Sequence, residues 1–217
     1  MKMLEYIVSL IYPWKCVFCN SVLENGDICD ECVSKLPYTK GDSIYQKFTF
    51  VDKCISPLYY KDNVRNSIHR YKFYGCSAYS RRYGEIMAEC VENNLDCGGI
   101  SMVSWIPLSK ARLRKRGYDQ AYLLAKEISA RVGLPCVPTL RKVKNNAAQS
   151  TTRDAKQRRS NVAGAYVLYP DADVRDKYIL LVDDVVTTGS TLGEAARVLK
   201  KSGAKCVYCV TLARHED

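Results

Sequence analysis

Two groups of residues have types and spacings that could do chemistry. The first is Asp183-Asp184-Val185-Val186-Thr187-Thr188-Gly189-Ser190-Thr191. The apolar run from Tyr178 to Val182 predicts a buried strand that ends in two adjacent carboxylates, and a turn rich in hydroxyls then feeds a helix from Ser190. Backbone N–H groups at a helix start, joined by the hydroxyls of Thr187, Thr188, Ser190 and Thr191, form a cradle for a phosphate dianion. Gly189 lets the backbone approach closely. A Gly-Lys-Ser/Thr loop and a G-x-G-x-x-G fingerprint are both missing, so this is neither of those phosphate-binding turns. Acids placed just before such a cradle suit vicinal hydroxyls, held directly or through a divalent cation. A sugar 5-phosphate fits that layout. Helix capping alone would use one polar residue, and two acids with four hydroxyls exceed that need.

The second group is Cys16, Cys19, Cys29 and Cys32, two CxxC pairs separated by nine residues with an Asn25-Gly26-Asp27 turn signal between them. Four thiolates so spaced suit the tetrahedral geometry of structural zinc and leave no open position for catalysis. Zinc would fold a segment too small for its own core. Cys206 and Cys209 repeat the spacing inside an expected strand, where residues three apart face opposite ways, so they are not read as a metal pair. Eleven cysteines, an odd number, argue against a complete disulfide framework.

The elements that must position these groups follow from periodicity. Leu4, Ile7, Val8 and Ile11 predict a short amphipathic N-terminal helix; Glu5 and the absence of a small-residue cleavage site argue against a signal peptide, so a cytoplasmic protein is expected. Strands are expected over 51–60 (broken at Pro57), 100–106, 137–140, 178–182 and 205–212, with helices over 64–74, 77–94, 117–132 and 190–202. Strands alternating with helices from residue 100 onward predict an α/β fold with a mainly parallel sheet. The expected division is 1–36, a helix and zinc finger, and 37–217, the α/β domain. Residues 144–160 lack apolar periodicity and read as a long loop. No apolar run approaches the ~18 residues of a membrane span, so no membrane insertion is expected.

Charge is localised. The chain carries 33 Lys/Arg against 23 Asp/Glu, and residues 110–160 hold fourteen of those bases with three acids, so the remainder is close to neutral. Such a segment implies an anionic partner, a phosphate ester, a pyrophosphate or a nucleic acid. His69 and Lys72 lie three apart on an expected helix and either face a cleft or sit on the surface. Tyr71, Phe73 and Tyr74 beside Arg70 and Lys72 are either a base-stacking set or part of a core stripe.

Val182 to Thr191 resembles the phosphoribosyl-pyrophosphate (PRPP) loop of type I phosphoribosyltransferases. The four-cysteine finger, Ile68-His69-Arg70-Tyr71-Lys72-Phe73, Ile106-Pro107-Leu108, Arg116-Gly117-Tyr118-Asp119-Gln120-Ala121, Gln149, Arg153 and Arg159-Ser160-Asn161-Val162 are similar to one branch of that superfamily, the ComF family. The resemblance implies a phosphoribosyltransferase fold in which the finger and residues 33–75 form a hood. It implies that Val185 and Thr187–Thr191 bind PRPP, with Thr187–Thr191 on the 5-phosphate, that Asp183 and Asp184 take the ribose hydroxyls, and that magnesium bridges ribose and pyrophosphate. By position, Pro107, Leu108, Ser109 and Lys110 would hold the pyrophosphate. Residues 144–160 would close over the substrate, with Lys144, Arg153, Arg158 or Arg159 beside Lys110 stabilising the leaving group. The implied function is magnesium-dependent phosphoribosyl transfer to an acceptor the sequence does not name, in natural competence. The alternatives are a competence factor that binds single-stranded DNA alongside the uptake machinery, and a PRPP sensor without catalysis. One departure is Asp119, where Asn is expected in most members; it keeps an oxygen acceptor and lacks an amide donor.

Overall fold

A computed structural model describes residues 13–144 and 162–216. The expected N-terminal helix and the loop residues Gln149, Arg153, Arg158 and Arg159 lie outside them. The chain opens with a small hairpin, β1 (Trp14–Lys15) and β2 (Val22–Leu23), then helix α1 (Asp30–Lys35). Short strands β3 (Tyr45–Gln46), β4 (Lys53–Ile55) and β5 (Leu58–Tyr59) precede α2 (Asp62–Phe73) and α3 (Tyr79–Asn94). Then come β6 (Met102–Trp105), α4 (Lys110–Arg116), α5 (Gln120–Val132), the hairpin β7 (Leu140–Lys142) and β8 (Tyr166–Leu168), β9 (Tyr178–Val186), α6 (Ser190–Lys201) and β10 (Cys206–Arg214).

The main sheet runs β3-β4-β10-β9-β6, with β5 also on β10; every pairing is parallel except β3 with β4. Alternation along β9 feeds two cores. Leu180 and Val182 enter the one shared with α2, α3 and α5, while Ile179 and Leu181 enter the one covered by α6. The i, i+3, i+4, i+7 set Leu192, Ala195, Ala196 and Leu199 is the buried stripe of α6. α3 and α5 pack closely because Gly84 leaves room: a Cβ there would stand 2.2 Å from Glu127 Cβ.

The topology creates a crevice. From β6 the chain passes through α5 to Cys136, which bridges Val103 on the side away from β9; from β9 it passes through α6 to β10 on the other side. Winding therefore reverses between β6 and β9, and the carboxyl ends of those strands flank the place where α/β sheets bind ligands.

The structure revises several expected boundaries. β9 continues through Asp183 and Asp184 to Val186, because the ladder to β10 runs on to Val186. The strand expected at 137–140 is displaced to β7, since its partner is β8 rather than the main sheet. α4 was not expected; its Lys-Ala-Arg-Leu-Arg-Lys-Arg sequence has little apolar periodicity, and Ser109 caps its start by accepting the Arg112 N–H at 3.4 Å.

Candidate functional site

Asp183 and Asp184 lie near the carboxyl end of β9, with the Pro107–Lys110 loop beside them because Ile106 N–H donates to Val182 O at 2.9 Å. Thr191, Pro107 and Leu108 line the same cavity as the two acids. Four bases line it too: Lys72 from α2, Arg112 and Arg116 from α4, and Lys142 from β7. Lys72 Nζ reaches Asp184 Oδ1 at 2.8 Å, and both side chains are largely buried. Burial and then the neighbouring Asp184 push the Asp183 carboxyl up to about 7, while its Oδ1 accepts the Asp184 N–H at 2.9 Å. Burial pulls Lys142 and Arg116 below their usual values, and their like-charged neighbour Arg112 acts in the same direction. Among the described residues the cavity has more bases than acids, all partly desolvated, and its field attracts a polyanion.

The loop Thr187–Thr191 turns at Gly189, which has φ +67° and caps α6. Thr188 Oγ1 and Ser190 Oγ lie 2.8 Å apart, Thr187 is exposed and Val185 packs on the core. Phe48 covers the loop from the other side, so a Cβ on Gly189 would meet its ring at 2.0 Å. Glycine is thus required at 189 by both backbone conformation and packing.

The pyrophosphate-loop residues are divided. Leu108 N–H donates to Asp119 Oδ2 at 3.1 Å, and Asp119 Oδ1 accepts the Tyr122 N–H at 3.3 Å at the start of α5. Both oxygens accept, so a carboxylate serves where an amide donor was expected; burial nonetheless raises its proton affinity. Ser109 spends its hydroxyl on α4. Lys110 is exposed and does not line the cavity, whereas Arg112 and Arg116 do. Lys144 is exposed and donates to Ala163 O at 2.8 Å. The sequence singles out Lys72 without assigning it, and it leaves Arg112, Arg116 and Lys142 undistinguished within the basic segment 110–160, whose charge carries no sign of which bases face the acids.

Against another face of α2, Cys16, Cys19, Cys29 and Cys32 gather with ligand atoms all within 4.8 Å of one another, and they form no disulfide. Cys29 N–H points to Cys16 Sγ at 3.5 Å and Cys32 N–H to Cys29 Sγ at 3.4 Å. Four sulfurs so arranged fit a tetrahedral zinc ion. Phe18, fully buried, packs 5.9 Å from Tyr83, and Arg70 donates to Val17 O and Phe18 O at 2.9 and 2.7 Å. The finger thus shares a core with the α/β fold.

Residues 119–217 match the family model described as "Phosphoribosyl transferase domain". The chain is 27% identical over 206 residues to Competence protein F of Haemophilus influenzae, covering 92% of this chain and 90% of that one. Over most of its length it is similar to the competence proteins of the ComF type. It is likewise similar to Competence protein ComFC of Bacillus subtilis, 29% identical over 156 residues, 71% of this chain and 61% of that one. DNA utilization protein YhgH of Escherichia coli K12 is 34% identical over 111 residues, 50% of this chain but only 47% of its own length. The fold is that of type I phosphoribosyltransferases with an N-terminal cysteine cluster. Among the described residues no helix is long and apolar enough to cross a membrane.

Proposed function

We propose that the protein binds PRPP at the carboxyl ends of β6 and β9 and transfers its phosphoribosyl group to an acceptor. The observation that carries this reading is the meeting, in one cavity, of an acid pair, the cradle residue Thr191 and four bases. Thr187–Thr191 take the 5-phosphate, and Asp183 and Asp184 take the ribose hydroxyls. Arg112, Arg116, Lys142 and Lys72 face the pyrophosphate, with Leu108 N–H and its neighbours shaping that side. Magnesium is ordinarily held by one or two carboxylates together with substrate phosphates, so two adjacent carboxylates suit an ion that arrives with the diphosphate. Bound there, it would neutralise charge on the leaving group.

In the transfer, the bond from C1 to the pyrophosphate oxygen breaks, pyrophosphate leaves with the electron pair, and the acceptor forms a bond to C1 and loses a proton. Arg112, Arg116 and Lys142 stabilise the charge that grows on the departing oxygen; being already desolvated, they reorganise little. Lys72 occupies Asp184 Oδ1 until a sugar diol replaces it.

The family relatives' names support a role in competence or DNA utilisation. A cytoplasmic location is supported by eleven cysteines without a disulfide among those described. Direct contact with single-stranded DNA is a second reading, favoured by the five bases in seven residues of α4. Titration calorimetry with PRPP and magnesium tests the first. Binding should be lost in Asp183→Ala and Asp184→Ala, and normal binding by both variants would refute the site. Pyrophosphate release in the presence of candidate acceptors separates transfer from sensing.

A further inference from the structure

The exposed end of α2 carries an aromatic platform at the mouth of this cavity. Tyr71 is fully buried, but Phe73 is 55% and Tyr74 69% exposed. His69 joins them, with ring centroids 4.8 Å from Phe73 and 5.6 Å from Tyr74. Large aromatic rings clustered in solvent, with no other described element over them, are unusual on a folded domain. The Arg116 guanidinium lies 5.1 Å from the Phe73 ring, and Arg116 also lines the cavity, so platform and cavity are contiguous. Arg65, His69 and Phe73 follow at i, i+4 and i+8 along one face of α2, spanning about 12 Å of helix. The last two turns of α2 contain no acid, and neither does α4.

Exposed π-faces between cations are the requirement for stacking an unpaired base whose phosphates stay in the basic surround. We propose that His69, Phe73 and Tyr74 form a stacking site for an unpaired nucleobase carried next to a phosphate, supplied by a single strand or by a free nucleotide. This deepens the strand-binding reading and does not depend on the ligand of the acid-pair cavity.

The test is fluorescence anisotropy on the full chain, without PRPP, using labelled dT20, an abasic strand of the same length and a duplex. The dT20 strand should bind about tenfold or more tighter than the abasic strand. The double variant Phe73→Ala/Tyr74→Ala should lower dT20 affinity to the abasic level while keeping the parent's melting temperature. Phe73→Trp should keep dT20 affinity and show fluorescence quenching on binding; quenching by dTMP as well identifies a single nucleotide as sufficient, and quenching by dT20 only identifies a strand. If dT20 and the abasic strand bind equally, or if the double variant binds dT20 as the parent does, the platform is refuted while strand binding stands. If no strand or nucleotide binds, both fail.

Discussion

Asp183 and Asp184 are adjacent in sequence but differ in surroundings. Alternation along β9 sends them to opposite faces; Asp184 meets Lys72 from α2, while Asp183 has no comparable ion pair among the described residues. Its proton affinity, raised to about 7, has a consequence for stability. The native state binds the Asp183 proton more tightly than the unfolded chain, so its contribution is present below the ordinary carboxylate range and is lost as pH rises through about 7. Asp183→Asn should therefore stabilise the protein more at pH 8 than at pH 5, as read by thermal melts at the two values. An equal gain at both would show that Asp183 is ionised throughout. The acid that costs stability is one of the two proposed to take the ligand's hydroxyls, a pattern expected of functional groups. Gly189 is the second telling residue. Gly189→Ala adds a Cβ at positive φ against the Phe48 ring, and a loss of about 2 kcal/mol or more is expected in urea unfolding. Adding Phe48→Ala should recover the steric part and leave the backbone strain.

At the scale of elements, α2 acts as a beam between the finger and the site. Ser67 and Arg70 hold the carbonyls of the first cysteine knuckle, and Lys72, half a turn on, holds Asp184. Arg70→Ala strips donors from two carbonyls beneath the finger. It should lower stability by about 2 kcal/mol, several degrees in melting temperature. Metal analysis is expected to find one zinc per chain, and chelation should lower the melting temperature, because Cys16, Val17 and Phe18 are part of the α2–α3 core rather than an appendage. α4 and α5 are joined in the same manner: Asp119 both caps α5 and pins Leu108, fixing the loop that faces the acids.

For the molecule as a whole, the basic excess of residues 110–160 becomes a surface with direction. Its α4 portion borders both the cavity and the aromatic platform. If about three phosphates are engaged, dT20 affinity should fall on the order of tenfold between 50 and 200 mM salt, measurable by anisotropy; a flat profile would exclude phosphate contact. Much of this architecture is legible in the chain itself. Tyr178–Val182, the α6 stripe and the paired CxxC motifs are contiguous patterns, so local periodicity and cysteine spacing specify a strand, a helix and a cysteine cluster without reference to anything distant. Tertiary structure alone decided which bases meet the acids. Lys72, Arg112, Arg116 and Lys142 come from three elements, Lys110 turns out to solvent although it stands at the expected place, and Phe73 and Tyr74 part company with Tyr71. The reason is physical: a charged side chain carries no local signal of its orientation, which is set only when helices dock on a sheet and bury one face rather than another.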